Sequence, residues 1–244
     1  MGFTPDAEYP VINGEKGIIN AYCSRTFSQS GNLKLISLQG GTASNVVPNY
    51  AKAELACNPE LARTIAARFF EKLTFTLTDN GVLVEAFGEN AHGSTPWLGE
   101  NAIGRLILAL KELPFEGELA GLIAFLADKL GMDSTGKAAG IHLWDELSGD
   151  LSFNWGVMTA DESSMELVIN YRYPVTFEFA DCGPALQTLF ERMGFTVRQI
   201  HKEKLYIPAD SDLVKILLKV YKEHTGIDGK PVCIGGGTYA KSLP

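Results

Sequence analysis

The sequence predicts an α+β fold assembled from two similar units, each a sheet with helices packed on one face. Three observations carry this expectation. Segments of period-2 alternation, such as Tyr50 to Cys57 and Val82 to Phe87, are spaced along most of the chain. Helical stripes with recognisable starts and stops fall between them. A strand–helix–strand run from Tyr50 to Thr78 recurs from Met165 to Ile200, at an offset of roughly 115–120 residues, as a doubled supersecondary unit would.

Taken in order, Thr4 to Glu15 reads as short strand and turn material. Ile18 to Phe27 and Leu33 to Leu38 alternate and are joined by the turn Ser28-Gln29-Ser30-Gly31-Asn32. Gly40 to Pro48 is a loop. Asn58-Pro59-Glu60 starts a helix, with Asn as cap, Pro at the first position and an acid in the first turn. Its stripe of Leu61, Ile65, Phe69 and Leu73 carries that helix to about Lys72. Phe75 to Thr78, Asp79-Asn80-Gly81 and Val82 to Phe87 form a hairpin, because Asn-Gly favours a tight primed turn. Helices follow over Glu100 to Leu113 and Glu118 to Leu130. Then come strands over Leu151 to Thr159 and Met165 to Tyr173, a helix over Phe179 to Met193, and a strand over Phe195 to Ile207. Ser211 and Asp212 cap a last amphipathic helix, Leu213 to His224. Lys230 to Ile234 then enters the turn Gly235-Gly236-Gly237.

Composition narrows the function classes. With 45% hydrophobic and 20% charged residues, 244 residues can bury a substantial core, and disorder is not expected. A net charge of −8 argues against nucleic acid or an anionic membrane as the main partner. No apolar run approaches the roughly 20 residues of a membrane helix. Met1 to Asp6 shows no signal segment, so a cytoplasmic protein is expected. Cys23, Cys57, Cys182 and Cys233 form no CxxC pair and are expected as free thiols.

The stretch Glu89-Asn90-Ala91-His92-Gly93-Ser94-Thr95-Pro96 stands out. It places an imidazole between a strand and a helical pattern that begins at Trp97. Such a junction can present His92 to a ligand, or Ser94 and Thr95 can satisfy it locally. Arg172, between Tyr171 and Tyr173, could clamp a carboxylate bidentately or lie stacked on the surface. Gly235-Gly236-Gly237 lacks the Lys-Ser/Thr of a phosphate loop. It is either a tight turn or a turn passing close to a substrate. His142 reads as structural, and His201 and His224 as solvated.

Four segments together carry a resemblance: Thr4-Pro5-Asp6-Ala7-Glu8-Tyr9-Pro10-Val11, Gly40-Gly41-Thr42-Ala43-Ser44-Asn45-Val46-Val47-Pro48, Ala91-His92-Gly93-Ser94-Thr95-Pro96 and Gly235-Gly236-Gly237-Thr238-Tyr239-Ala240. In this order they resemble the zinc aminoacylase/dipeptidase family, and within it the PepV-type bacterial dipeptidases. The resemblance spans essentially the whole chain. It implies an α/β catalytic domain holding a pair of zinc ions, and an inserted lid. In the PepV type the lid has two similar halves that mimic a dimer, so a monomer is expected.

On this resemblance the lid would be two ferredoxin-like α/β-sandwich halves over 17–207, divided at about residue 115. Residues 1–16 and 208–244 would be parts of the catalytic domain. Asp6 would ligate zinc, and Asn45 and His92 would stabilise the oxyanion of the scissile carbonyl. Arg172 would hold the C-terminal carboxylate of a dipeptide, and Gly236, Gly237 and Thr238 would line the substrate site. The rest of the family's metal-ligand set is absent. The expected reading is therefore the lid-containing portion of a dipeptidase, inactive by itself and binding no zinc. The alternatives are an aminoacylase, desuccinylase or tripeptidase of the same family, or a non-catalytic α+β binding or oligomerisation module.

Overall fold

In a computed structural model of the chain, residues 8–242 are described. The strands are β1 (Ile12–Glu15), β2 (Gly17–Thr26), β3 (Lys34–Gly40), β4 (Tyr50–Ala56), β5 (Leu73–Thr78), β6 (Gly81–Phe87), β7 (Trp144–Asp145), β8 (Gly149–Asp150), β9 (Ser152–Ala160), β10 (Ser164–Tyr173), β11 (Thr196–Lys202), β12 (Leu205–Tyr206) and β13 (Val232–Ile234). The helices are α1 (Pro59–Ala66), α2 (Ala102–Lys111), α3 (Gly117–Lys129), α4 (Gly183–Glu191) and α5 (Asp212–Thr225). The fold is mixed α/β, and no described helix is long and apolar enough to cross a membrane.

Eight strands form one sheet in the order β11-β2-β10-β9-β3-β4-β6-β5. The recurring strand–helix–strand runs occupy equivalent places in it. β4 and β5 both run antiparallel to β6, which lies between them, and α1 makes the crossover. β10 and β11 likewise bracket β2, with α4 as the crossover. The two quartets meet at β3 and β9, where Leu38, Gln39 and Gly40 face Ala160, Thr159 and Met158. β2 comes before residue 115 in the chain but pairs with β10 and β11, so the strands joined by the Ser28–Asn32 turn are not sheet neighbours. Strand pairing is a long-range choice, and alternation alone carries no partner information.

Alternation decides which face is buried. Ile19, Ala21 and Cys23 of β2, Ala51, Ala53 and Leu55 of β4, Val82, Val84 and Ala86 of β6, and Met165, Leu167 and Ile169 of β10 are all buried. They join Leu106, Leu110, Leu122, Leu126, Leu186 and Phe190 of the helices in one core. Helix boundaries follow their caps. Asn58 accepts the N–H of Leu61 at 2.9 Å, and Gly226 closes α5 at φ 74°. α1 ends at Ala66 rather than near Lys72. Lys72, at φ 58°, turns the chain into β5, and Phe69 points to solvent.

A second sheet, β12-β1-β13, adjoins the first where the single residue Lys16 separates β1 from β2. The strand expected over Phe195 to Ile207 is broken for this reason: β11 stays in the large sheet, and β12 pairs with β1. The short hairpin β7-β8 stands apart from both sheets.

Where the two sheets meet, β10 is buried on both faces. Asn170 and Arg172 lie on the face opposite the core residues Ile169, Tyr171 and Tyr173. Register aligns Asn20, Asn170 and Asn154 in one row across β2, β10 and β9, and Ile18, Arg172 and Ser152 in the next.

Candidate active site

His92 lies in the loop between β6 and α2. The helical pattern expected from Trp97 is a short 3-10 turn, Pro96–Leu98, and α2 starts only at Ala102 beyond the Asn101 cap. Three contacts fasten this loop to the β3–β4 loop that carries Asn45. Val46 and His92 form an antiparallel bridge, the Gly93 N–H donates to the Asn45 carbonyl at 2.7 Å, and the Val47 N–H donates to the Ala91 carbonyl at 2.9 Å. A Cβ on Gly93 would stand 3.0 Å from that Asn45 carbonyl oxygen, so a residue without a side chain suits this approach. Asn45 and His92 are both exposed at their outer edges.

The His92 ring is held by its own loop. Its Nδ1 lies 2.6 Å from the Ser94 Oγ and accepts the Ser94 backbone N–H at 3.3 Å. A ring nitrogen that accepts an amide proton is the unprotonated one, so the neutral ring carries its proton on Nε2. The local satisfaction by Ser94 and the presentation of Nε2 to a ligand are therefore compatible. Partial desolvation, and then the charge of Arg172, lower the imidazole pKa below its ordinary 6.5. At neutral pH the ring is neutral and offers one N–H.

Arg172 is buried, at 4% exposure, and the surface-stacked alternative does not describe it. Its Nε donates to Asn170 Oδ1 at 3.2 Å and its Nη1 to the Gly235 carbonyl at 2.6 Å. Asn170 in turn donates to Asn20 Oδ1 at 2.9 Å. Burial alone pulls the guanidinium pKa down to about 10, and among the described residues no carboxylate offsets its charge. A buried cation left in this state favours an anion arriving from outside.

The glycine turn closes the site, through Gly235 in particular. A Cβ on Gly235 would come within 2.7 Å of Ser94 Cβ, which is how the turn reaches the His92 loop. A Cβ on Gly236 would meet nothing nearer than Ile234 at 3.6 Å, and one on Gly237 nothing nearer than Ile18 at 3.4 Å. Thr238 is anchored from behind: its N–H donates to Glu15 at 3.0 Å, and its hydroxyl also donates to that carboxylate.

Glu15, Lys16 and Lys241 belong to this region and were not singled out from sequence. Glu15 and Lys16 are buried. Lys241 donates to the Lys16 carbonyl at 2.6 Å and stands 4.0 Å from Glu15, and Lys16 donates to the Asp150 carbonyl. Burial first, with a smaller push from Arg172, lowers both lysines to about 8. A Glu-Lys pair directly before the apolar start of β2 was the available signal.

The remaining histidines sit elsewhere. His142 pairs with Asp150 at 2.7 Å. His201 is not solvated as expected; it accepts or donates with the Tyr173 hydroxyl at 2.9 Å and stacks on Phe179 with ring centroids 4.7 Å apart. His224 is exposed on α5. Asp6 lies outside the described residues. Among the described residues no three His, Cys, Asp or Glu side chains converge as a metal site, so these residues do not fit a zinc ion.

No protein-family model matches the chain. Curated relatives do. Over 250 residues it is 32% identical to a Beta-Ala-Xaa dipeptidase of Lactobacillus delbrueckii subsp. lactis, covering 98% of the chain and 52% of that protein. Over 254 residues it is 34% identical to the putative dipeptidase YtjP of Bacillus subtilis (strain 168), covering 100% of the chain and 54% of that protein. The chain belongs to this dipeptidase family. It spans about half the length of the curated relatives it matches.

The fold agrees with a solved dipeptidase. The crystal structure of an aminoacylhistidine dipeptidase from Vibrio alginolyticus superimposes with a TM-score of 0.51 at 14% identity, over 94% of the chain and 53% of that structure. At that identity the likeness concerns architecture. The site of this family member sets an imidazole N–H and an Asn-bearing loop side by side, with a buried guanidinium behind the glycine turn.

Proposed function

We propose that the chain is the lid-containing portion of a zinc-dependent dipeptidase that hydrolyses dipeptides with a free N-terminus. One observation carries the reading: Arg172 is a buried cation with no carboxylate offsetting its charge among the described residues, beside the loop of a neutral imidazole donor. A dipeptide's C-terminal carboxylate supplies the missing anion. The distance from that anchor to His92 then sets which peptide carbonyl the imidazole meets, and so restricts substrate length.

His92 Nε2–H and the Asn45 amide donate to the scissile carbonyl oxygen as it gains negative charge. A donor so placed is worth on the order of 3 kcal/mol in the transition state. Gly236, Gly237 and Thr238 line the approach. Zinc belongs to the catalytic domain in this reading, with Asp6 among its ligands. The described residues supply no other ligand set, and the isolated chain is expected to be inactive. The strand orders β11-β2-β10-β9 and β3-β4-β6-β5, each with an α-helical crossover bracketing one strand, support two ferredoxin-like halves that stand in for a lid dimer in a cytoplasmic monomer.

Binding tests the reading directly. The chain should bind a dipeptide such as β-alanyl-alanine, and lose at least tenfold in affinity for its C-terminal amide and on Arg172→Met. Equal affinity for acid and amide overturns the assignment of Arg172. In the full-length dipeptidase, His92→Ala should lower kcat on the order of a hundredfold; unchanged activity overturns the role of His92. Zinc retained by the 244-residue chain after dialysis would overturn the placement of the metal outside it.

A further inference from the structure

We infer that Asn154 is the positioning residue that sets Asn45 and His92 in register with one another, an inference that rests on the dipeptidase reading. Asn154 is 1% exposed and lies on β9, on the same sheet face as Asn170 and Arg172. Its Nδ2 donates to two backbone carbonyls at once, Ser44 at 2.8 Å and Val46 at 3.0 Å. These are the residues on either side of Asn45. Both amide protons are thereby committed, and the side chain grips the loop at the point where Asn45 is displayed.

The amide orientation is forced, because turning it over would set Oδ1 against two carbonyl oxygens. Held this way, Oδ1 is buried with no hydrogen-bond partner. A buried acceptor left unpaired opposes folding, and an apolar residue here would avoid that cost. The two N–H bonds to the loop are what the amide provides in return.

The seat is shaped on both sides. Gly156, two residues along β9, is the extra residue of a β-bulge between the Val168–Val157 and Ile169–Trp155 pairs. A Cβ on Gly156 would lie 2.4 Å from the Ser44 carbonyl oxygen, and a Cβ on Gly41 would lie 1.9 Å from the Gly156 carbonyl oxygen. The loop from Gly41 to Val46 therefore lies directly on β9. From Val46 the chain bridges to His92, and the Asn45 carbonyl takes the Gly93 N–H. Asn154 thus reaches both oxyanion donors through one loop while touching neither side chain, and it leaves the Arg172 contacts to Asn170 and Gly235 untouched.

The test uses Asn154→Leu and Asn154→Asp, which keep the side-chain size and remove the paired N–H donors. In the 244-residue chain, amide hydrogen exchange at Gly93 and Val47 should speed up at least tenfold, while the β4–β6 core amides stay within twofold. In the full-length dipeptidase, kcat should fall at least tenfold with KM within about twofold, because the carboxylate anchor is intact. Gly156→Ala, which displaces Ser44 without touching Asn154, should do the same and covers the case in which an Asn154 variant fails to fold. Exchange at Gly93 and Val47 unchanged, or raised equally across the core, overturns the inference. So does a kcat that stays constant while KM rises. The exchange result stands whether or not the chain's parent proves to be a dipeptidase, so the two readings fail separately.

Discussion

The guanidinium of Arg172 donates to the carbonyl oxygen of Gly235 at 2.6 Å, across 63 residues of sequence. This bond ties the end of β10 to the glycine turn after β13, and so the large sheet to the small one. Gly235 also packs on Ser94, so the same turn reaches the loop that holds His92.

His92 should titrate below 6.5 in the native chain. Desolvation is the larger cause and the charge of Arg172 the smaller. Arg172→Met should therefore move the midpoint upward without taking it past the ordinary value. Proton NMR titration of the His92 ring checks this. A midpoint that falls in the variant would show that the two groups do not face one another.

The glycine turn should tolerate side chains unequally. Gly235→Ala places a methyl 2.7 Å from Ser94 Cβ. It should cost about 1–3 kcal/mol in urea unfolding. Gly236→Ala meets nothing nearer than Ile234 at 3.6 Å. It should stay within about 0.5 kcal/mol. Equal effects would place the close approach elsewhere in the turn.

Thiol reactivity should follow burial. Cys23 and Cys182 are buried, and desolvation raises both to about 12. Cys57 is half-buried and raised less. At pH 8 a maleimide should modify Cys57 well before Cys23 or Cys182, and the latter two only on unfolding. Mass spectrometry of partly labelled protein gives the order.

Stability should rise above pH 8 and level off above pH 9. Lys16 and Lys241 fall from 10.5 to about 8 on folding, so between pH 8 and 10.5 the unfolded chain binds more protons at these groups and stability rises with pH. Cys23 and Cys182 rise from 9.0 to about 12, so above pH 9 the protons they keep in the folded chain offset that rise. Thermal unfolding between pH 7 and 10 should show the rise and then the plateau. In the Lys16→Met, Lys241→Met double variant the rising limb should flatten.

Much of the architecture was legible because it is local. The Asn58-Pro59-Glu60 start, the Asn80-Gly81 turn and the alternation of β2, β4, β6 and β10 mark elements through neighbouring residues alone. Hydrophobic period and capping chemistry are written within a few residues. The ends were less legible where the next element set them, as at Lys72, where the turn into β5 cut α1 short.

By itself the sequence determined an α+β chain with a recurring strand–helix–strand unit, and it marked His92, Asn45, Arg172 and the glycine turn as the residues to watch. Tertiary structure decided what those residues face. Only the strand order places β2 between β10 and β11, aligns Asn154 with Asn170, and buries Arg172 under Gly235 without a carboxylate to offset it. The physical reason is range. Periodicity says which face of a strand is wet or dry, but a side chain's charge state, proton position and partner depend on atoms brought close by pairing across many residues of chain, and that pairing is a property of the whole fold.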